Sequence, residues 1–582
     1  MVENKMETAE IEEGRNDCEQ PDGIERARFN VDRLLNDLVG PCGLWQWSLV
    51  TVMALSTISV STFPVFANSA SQHRCRMEDR VEKFAFDRNF TFAYIASYIG
   101  PWTNTSGQMK GCLRYDLDWN IVNLTEFFSD RDSNYSNTSV PLESCPLGYI
   151  HEESAIHYPG NVVIEFETVC HKAWLVPAGT SVYMTGMLFG FILGGWTGDR
   201  FGRRPSIIFF SILELICDLW TCLSPNYINY VLARGITGIG NTAKIALNNV
   251  LMVELTVARH RSTLNAVLAI GLNFVSRAMM SLCAFTIPYW RWFYAVYVSP
   301  NLLTVAYIFY LPESPRWLLA RNRVSEAVRV LQTGYRINHR KVSPDDQKRL
   351  DDLMQEALKM DSLLSNSPQV HTNKSTKKIS GSMLRPFTDR QFAKTSILCL
   401  LSLLGIVMSY FALLLYARII RTYVYLVGFL NATTAIPATL IATLLYRYCR
   451  RRKLPLQIVV TLILCILGGG GLYTVIVQPE SDLVLTVASN IGLILLSSAL
   501  CMFYIYVPEL YPSEIRTHAF GLILGFARIG SIVSTFVNEL DRIVVHGFPV
   551  AVYAGTFVFV LIALFFLSDT TGENLPDVST KG

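Results

Sequence analysis

Six ionisable side chains interrupt runs that are otherwise apolar: Glu214 and Asp218, Arg234 and Lys244, Arg277, and Arg528. A charge near the centre of a bilayer costs at least about 2.5–3.5 kcal/mol on insertion scales, so each calls for a partner or a task. Lys244 precedes Glu254 by ten residues and Glu214 follows Pro205 by nine, which at helical rise puts both about 14–15 Å from one boundary. A Glu214–Lys244 salt bridge is therefore the plain alternative to a Lys244 that lines a substrate cavity. Arg528 lies about ten residues into its run with no acid on its own helix, near the midplane. There it could bind a carboxylate through paired N–H donors, or serve structurally by bonding helix carbonyls. Tyr410, Tyr504 and Tyr506 offer rings that could contact an amine or an aromatic group, although packing explains any one of them equally well.

A second group is denser. The stretch GGWTGDRFGRRPS (194–206) sets Asp199, Arg200, Arg203 and Arg204 against the end of an apolar run. Positive-inside anchoring explains the arginines. It does not explain the aspartate.

The elements that must position these groups follow from composition and run length. Of 582 residues, 51% are hydrophobic and 17% charged, with a mean hydropathy of +0.30, too apolar for a soluble chain of this length. Net charge is only +3, and the basic residues cluster between apolar runs instead of interleaving with aromatics, which argues against nucleic acid. A bilayer crossing needs about 20 apolar residues. Twelve runs qualify: 45–67, 176–196, 205–223, 228–252, 262–285, 292–311, 395–417, 422–445, 455–477, 483–507, 518–538 and 547–567. The expected class is an all-α membrane protein of twelve spans in two six-helix halves, 43–319 and 394–567. A 1–42 tail, a 320–393 connection and a 568–582 tail complete the division.

Residues 1–42 are polar and lack a cleavable signal, so the first span is expected to be an uncleaved anchor. With both termini cytoplasmic, Arg200, Arg203, Arg204, Arg259, Arg261, the 447–453 basic cluster and Arg516 fall on the inner side, as the positive-inside rule requires. Arg291, Arg418, Arg421 and Arg542 are outer-side exceptions. Residues 68–175 then form an outer loop. Its sequons at Asn89, Asn104, Asn123, Asn134 and Asn137 point to glycosylation, and Cys75, Cys112, Cys145 and Cys170 to disulfides, whose three possible pairings spacing does not rank. A sixth sequon, Asn373, falls in the cytoplasmic connection and reads as chance. That connection reads as short amphipathic helices followed by a Ser/Asn/Lys-rich stretch.

The ordered motifs carry a resemblance. Gly195 to Arg204 fits the G-x-x-x-D-R-x-G-R-R pattern of the major facilitator superfamily, RGITGIG (234–240) resembles its fourth-span motif, and PESPRWLL (312–319) and PELYPSEIRT (508–517) resemble the sixth- and tenth-span exits. HRC (73–75), VVIEFETVC (162–170) and FARIGSIVS (526–534) are similar to patterns of the organic cation/anion/carnitine transporter family within it. The likeness runs from about residue 32 to 577.

The resemblance implies alternating access between two halves. It also implies that Asp199 faces the N-terminal end of the eleventh helix, where the macrodipole favours an anion, and clamps the halves together on the cytoplasmic side. Glu254, Glu313 and Arg316 would extend that lock, with Glu509 and Arg516 as second-half counterparts. The chain departs from the pattern at YRYCRR (446–451), where Tyr446 stands for Asp and Cys449 for Gly, and at SDT (568–570), where Asp569 is the remaining carboxylate. Gly186, Gly190 and Gly194 on the second span, with Gly521 and Gly525 on the eleventh, make smooth faces that should form the interface between the halves.

An arginine at position 528 is, by the same resemblance, typical of the anion and carnitine branches. The expected function is therefore plasma-membrane transport of small organic ions, carboxylates or zwitterions before cations. The cation reading needs Glu214 or Asp218 to face the cavity, and a non-transporting sensor with the same fold is the alternative that the altered second-half motifs keep open. No nucleophile, metal-ligand or phosphate-loop pattern suggests an enzyme or a cofactor. Lipid is the expected surround, and the coupling ion is not legible.

Overall fold

The computed structural model describes residues 34–569 apart from 41, 70–71, 102–110, 130–140, 153–157, 258–259, 261–263, 265–266, 269, 340–343, 367–384, 421–422, 450 and 512. Long apolar runs become long helices. The second span is Leu175–Phe201, the third Arg203–Cys222, the fourth Tyr227–Glu254, the seventh Arg390–Tyr416, the ninth Lys453–Val477, the tenth Leu483–Glu509, the eleventh Ser513–Val537 and the twelfth Phe548–Phe566. The fifth is described from Gly271 to Thr286, the sixth from Trp290 to Tyr310 with a 3₁₀ stretch at Ser299–Ala306, and the eighth as Val424–Thr433 followed by Ala435–Tyr448. Ten helical segments are long and apolar enough to cross a membrane among the described residues. The fourth span, 28 residues long, is not among those ten; it carries Arg234 and Lys244.

The first span is broken. Leu44–Ser56 is helical, Thr57–Ser59 are extended, Val60–Thr62 form a 3₁₀ turn and Pro64–Ala67 a last helical turn. Pro64 lacks an N–H and would crowd the carbonyl of residue 60 in a continuous helix. The interruption leaves backbone carbonyls free in mid-span, where only protein groups can satisfy them.

The loop between the first two spans folds on its own core. Two antiparallel ribbons pair β1 (His73–Cys75) with β4 (Tyr149–His151) and β2 (Leu113–Tyr115) with β3 (Leu142–Ser144). The disulfides are Cys75–Cys145 and Cys112–Cys170, and Arg114 pairs with Glu78 at 3.1 Å and Glu143 at 2.7 Å. Asn89 and Asn123 are exposed; Asn104, Asn134 and Asn137 lie outside the described residues. At the opposite end of the spans, Pro315–Ala320, Val324–Asn338 and Pro344–Asn366 are helical. Asn338 accepts from the Trp45 backbone N–H at 2.7 Å and donates to the Val39 carbonyl at 2.8 Å, fastening this layer to the first span. Asn373 and most of the Ser/Asn/Lys-rich stretch lie outside the described residues. The two ends are referred to below as the loop face and the knot face.

The two halves touch toward the loop face. Ser181 of the second span meets Thr535 of the eleventh at 2.5 Å, Arg418 donates to the Asn68 carbonyl at 3.1 Å, and Gly428 lies under Phe66 and Ser281. Toward the knot face, two glycines of the eleventh span have little beside them. A Cβ on Gly521 would meet nothing within 4 Å, and one on Gly525 only Ile192 at 3.9 Å.

This corrects the expected role of the glycine faces. A Cβ on Gly186 would lie 2.1 Å from the Gly235 carbonyl oxygen, one on Gly190 2.6 Å from that of Ile239, and one on Gly194 3.0 Å from the Ala243 Cα. The stripe seats the second span on the fourth, inside the first half. A smooth face permits close approach without specifying which helix makes it.

Two predictions follow from this packing. Gly186→Ala drives a methyl into fourth-span backbone, which cannot swing aside, and should lower the detergent-solubilised protein's Tm or abolish its yield, as overpacking costs about 1–3 kcal/mol or more; Gly521→Ala should leave both unchanged. The second concerns His546, between the eleventh and twelfth spans on the loop face, with Nδ1 2.8 Å from Asp541 and Nε2 3.0 Å from Asp482. Burial alone would lower its pKa, but the hydrogen bonds to Asp482 and Asp541 outweigh it and hold the imidazolium up to about 9. A raised pKa stabilises fully below the unfolded value near 6.5 and loses that contribution as pH climbs through about 9. The Tm should therefore fall between pH 7 and 10, and His546→Gln should flatten that slope.

Candidate functional site

The buried polar groups of the first half are organised by the fourth span. Arg234, Asn241 and Lys244, seven and then three residues apart, lie on one helical face and reach the broken segment of the first span. Arg234 donates to the Val60 carbonyl at 3.1 Å, Asn241 to that of Ile58 at 2.6 Å and Lys244 to that of Ser56 at 3.0 Å. Asn248 adds a bond to the Thr57 hydroxyl at 3.0 Å. The third span supplies the balancing acids. Glu214 pairs with Lys244 at 2.5 Å and accepts from Asn241 at 2.7 Å, and Asp218 accepts from the Tyr294 hydroxyl at 2.8 Å and Asn301 at 2.9 Å. Glu214, Asp218, Arg234 and Lys244 are all 2% exposed or less.

Lys244 is thus fully engaged by Glu214, the Ser56 carbonyl and Asn301, which removes it from the substrate-contact candidates. The cation reading loses its residues in the same way, since Glu214 and Asp218 turn into this network.

Arg528 has different surroundings. Its guanidinium carbon lies 5.0 Å from the Phe191 ring and 4.9 Å from the Phe411 ring, one from each half, and Tyr183, Tyr410 and Tyr504 lie within electrostatic reach. Its Nε and Nη1 are buried and have no hydrogen-bond partner among the described residues. Buried donors left unpaired are costly. Tyr410 accepts a hydrogen bond from Arg277 and sits edge-on to Phe411, centroids 5.3 Å apart. Tyr504 is 40% exposed and edge-on to Phe520.

Tyr506 lies elsewhere: fully buried near the knot-face end of the tenth span, it donates to the Ser568 carbonyl and is a packing residue. Neither Phe191 nor Phe411 stood out in sequence, because a phenylalanine in an apolar run carries no signal of its own.

The charge knot is also rearranged. Arg203 forms a double hydrogen bond to Glu254, at 3.1 and 3.0 Å, and reaches the Gly198 carbonyl at 2.8 Å. Glu313 accepts from the backbone N–H of Arg203 at 2.8 Å and of Arg204 at 3.2 Å. The carboxylate placed on a helix N-terminus is therefore Glu313 on the third span, where Gly202, at φ 107°, turns the chain.

Asp199 is 64% exposed and pairs with Arg203 at 3.0 Å within its own half; the side chains at the start of the eleventh span, 513–518, lie outside the described residues. Arg200 rests on Trp196 and Phe201, and Arg316 donates to the Glu254 carbonyl at 3.4 Å. In the second half Glu509 is 3.6 Å from Arg452. The Arg516 side chain lies outside the described residues.

The Glu214–Lys244 pair yields a test. Removing one partner strands a buried charge, at roughly 3–5 kcal/mol, whereas removing both is far cheaper. Lys244→Met and Glu214→Gln should each depress yield and Tm sharply, and the double variant should recover much of the loss.

Comparison with known proteins agrees with this architecture. The family described as "Sugar (and other) transporter" matches residues 121–581. Solute carrier family 22 member 6 of Oryctolagus cuniculus is 26% identical over 93% of this chain and 93% of its own, and organic cation/carnitine transporter 2 of Homo sapiens is 25% identical over 92% and 91%. Among solved structures, the partially occluded inward-open conformation of the xylose transporter XylE from E. coli superposes with a TM-score of 0.53 at 18% identity, over 70% of this chain and 90% of that one, a likeness of fold alone. With the matched residues spanning most of its length, from the folded loop to the last span, the chain belongs to the sugar (and other) transporter family.

Proposed function

We propose that this transporter carries small organic anions or zwitterions, carboxylates first, by alternating access of its two halves around Arg528. The observation that carries the reading is the buried Arg528 guanidinium with two unpaired N–H donors between aromatic rings of opposite halves. A carboxylate restores those hydrogen bonds and neutralises the charge in one step. The names of the similar proteins, which include an organic cation/carnitine transporter, support an organic ion over a sugar. The engagement of Glu214 and Asp218 within the first half favours anion over cation.

In this reading the loop face is extracellular, both termini and the 320–393 connection are cytoplasmic, and the protein resides in the plasma membrane. Contact toward the loop face together with open space at Gly521 corresponds to an inward-open arrangement. Asp199, exposed in it, is free to meet the eleventh helix when the knot face closes, with Glu254, Glu313 and Arg316 holding the knot in shape. The second half has a thinner counterpart in Glu509, Arg452 and Arg516.

Arg528→Lys keeps the charge but loses the planar fork. Uptake of carboxylate substrates into oocytes should fall about tenfold or more, since 1.4 kcal/mol is a factor of ten, while surface abundance stays unchanged. Equal loss of cation and carboxylate uptake would make the residue structural and end the anion reading.

A further inference from the structure

The first turn of the eighth span carries the second half into an aromatic cage of the first. Tyr425 lies nearly parallel to Phe66, centroids 6.2 Å and planes 23° apart, meets the Tyr158 ring at 6.5 Å and stands edge-on to Phe285 at 5.7 Å. Three residues on, and so on the same helical face, a Cβ on Gly428 would fall 2.8 Å from both the Phe66 ring and the Ser281 hydroxyl. The glycine lets the helix approach, and the tyrosine enters the cage it reaches.

Two rings of the cage come from the first and fifth spans. The third does not. Tyr158 lies in the folded loop that joins the first two spans, is 1% exposed, and donates from its hydroxyl to the Ile287 carbonyl at 2.7 Å. It sits edge-on to Phe66 with centroids 6.4 Å apart. Asn161, fully buried, donates to the Tyr158 carbonyl at 3.0 Å and to the Ser69 carbonyl. These bonds fix the ring to the ends of the first and fifth spans, so this wall of the cage moves with the first half.

We propose that Tyr425 is a gate residue on the loop face and that the folded loop, through Tyr158, is part of the gate. Alternating access requires the halves to part on that face, and Tyr425 must leave the cage when they do. Stacked and edge-on rings attract through dispersion and quadrupole alignment, both of short range, so the contribution is complete when the face is shut and gone after a small displacement. No charge has to be stripped of its partner for the gate to open. The proposal rests on motion of the halves and not on which ion is carried, so it stands or falls apart from the role of Arg528.

The test is labelling of Thr535→Cys by a membrane-impermeant maleimide in intact oocytes. Thr535 is 3% exposed and faces Ser181 across the halves, so a cysteine there reacts while the loop face is parted, at a rate proportional to the open population. Tyr425→Ala and Tyr158→Ala should each raise that rate about fivefold or more, and Tyr425→Phe, which keeps the ring, should leave it unchanged. Should Tyr425→Ala not reach the surface, Tyr425→Leu takes its place with the same expectation. Phe86→Cys, at a position 82% exposed on the folded loop, reports the side that the loop face occupies; if it labels only in inside-out vesicles, the whole series is run there. The parent chain without an added cysteine, with Cys217 and Cys399 buried, should label no faster in any variant. An unchanged Thr535→Cys rate in Tyr425→Ala overturns the gate, and one unchanged in Tyr158→Ala overturns the loop's part in it. A rise matched in the parent chain overturns both, since the substitutions then loosen the protein as a whole.

Discussion

The structure depends on what happens to three carbonyls in the middle of the first span. Once the helix gives way at Thr57–Ser59, the Ser56 and Ile58 oxygens need donors in a region without bulk water, and the Val60 oxygen keeps only the Phe63 N–H at 3.3 Å. Lys244, Asn241 and Arg234 supply them from a single face of the fourth span. Two cations cannot be buried there alone, so Glu214 and Asp218 follow from the third span, and Tyr294 and Asn301 of the sixth complete the acids' hydrogen bonds. One broken helix thus recruits three other spans into a charge-balanced core. The glycine stripe presses the second span onto the fourth from the other side, and most of the first half becomes one body.

That rigidity is what lets the halves move as units. The first half is tied internally by buried ion pairs and on the knot face by Arg203 with Glu254 and by Glu313 with the start of the third span. The hydrogen bonds between halves among the described residues are of another kind: one hydroxyl pair, Ser181 with Thr535; one arginine on a carbonyl, Arg418 with Asn68; and one arginine on a tyrosine, Arg277 with Tyr410. The hydroxyl pair contributes about 0.5–1.5 kcal/mol and each arginine bond about 1.5–3 kcal/mol, against about 3–5 kcal/mol for breaking a buried ion pair. Rocking breaks the cheaper set and leaves the costlier set intact.

What was legible in the sequence follows the same division between local and distant causes. Span positions were, because run length is local: the expected start at 483 and the observed Leu483 coincide. The Glu214–Lys244 pair was legible only as one of two readings, because equal depth follows from counting residues on two helices while a cavity-lining Lys244 has the same depth. The break in the first span was not, since Thr and Ser among Ile and Val do not mark a kink and Pro64 sits five residues beyond its last extended residue. Nor was the partner of the knot. That Glu313 takes the N-terminus of the third span depends on a fold that brings residues 110 positions apart within 2.8 Å, and no spacing encodes that. The disulfide pairing and the removal of Tyr506 from the cavity to the tenth span's end have the same cause.

On the proposed function, Arg528 can stay open to substrate while aromatic rings hold its guanidinium in place. Phe191 and Phe411 engage the guanidinium through their rings, an attraction of about 0.5–2 kcal/mol apiece when desolvated, whereas a carboxylate engages its edge through N–H bonds. The two interactions use different parts of one planar group, so the anion need not displace the aromatic rings to bind. Phe191 belongs to the first half and Arg528 to the second, and motion that separates the second span from the eleventh strips one ring from the cation. In the proposed reading a bound carboxylate compensates for that loss by neutralising the charge as its cover departs. On that proposal the empty carrier has no such compensation, which would tie the motion of the halves to the presence of substrate.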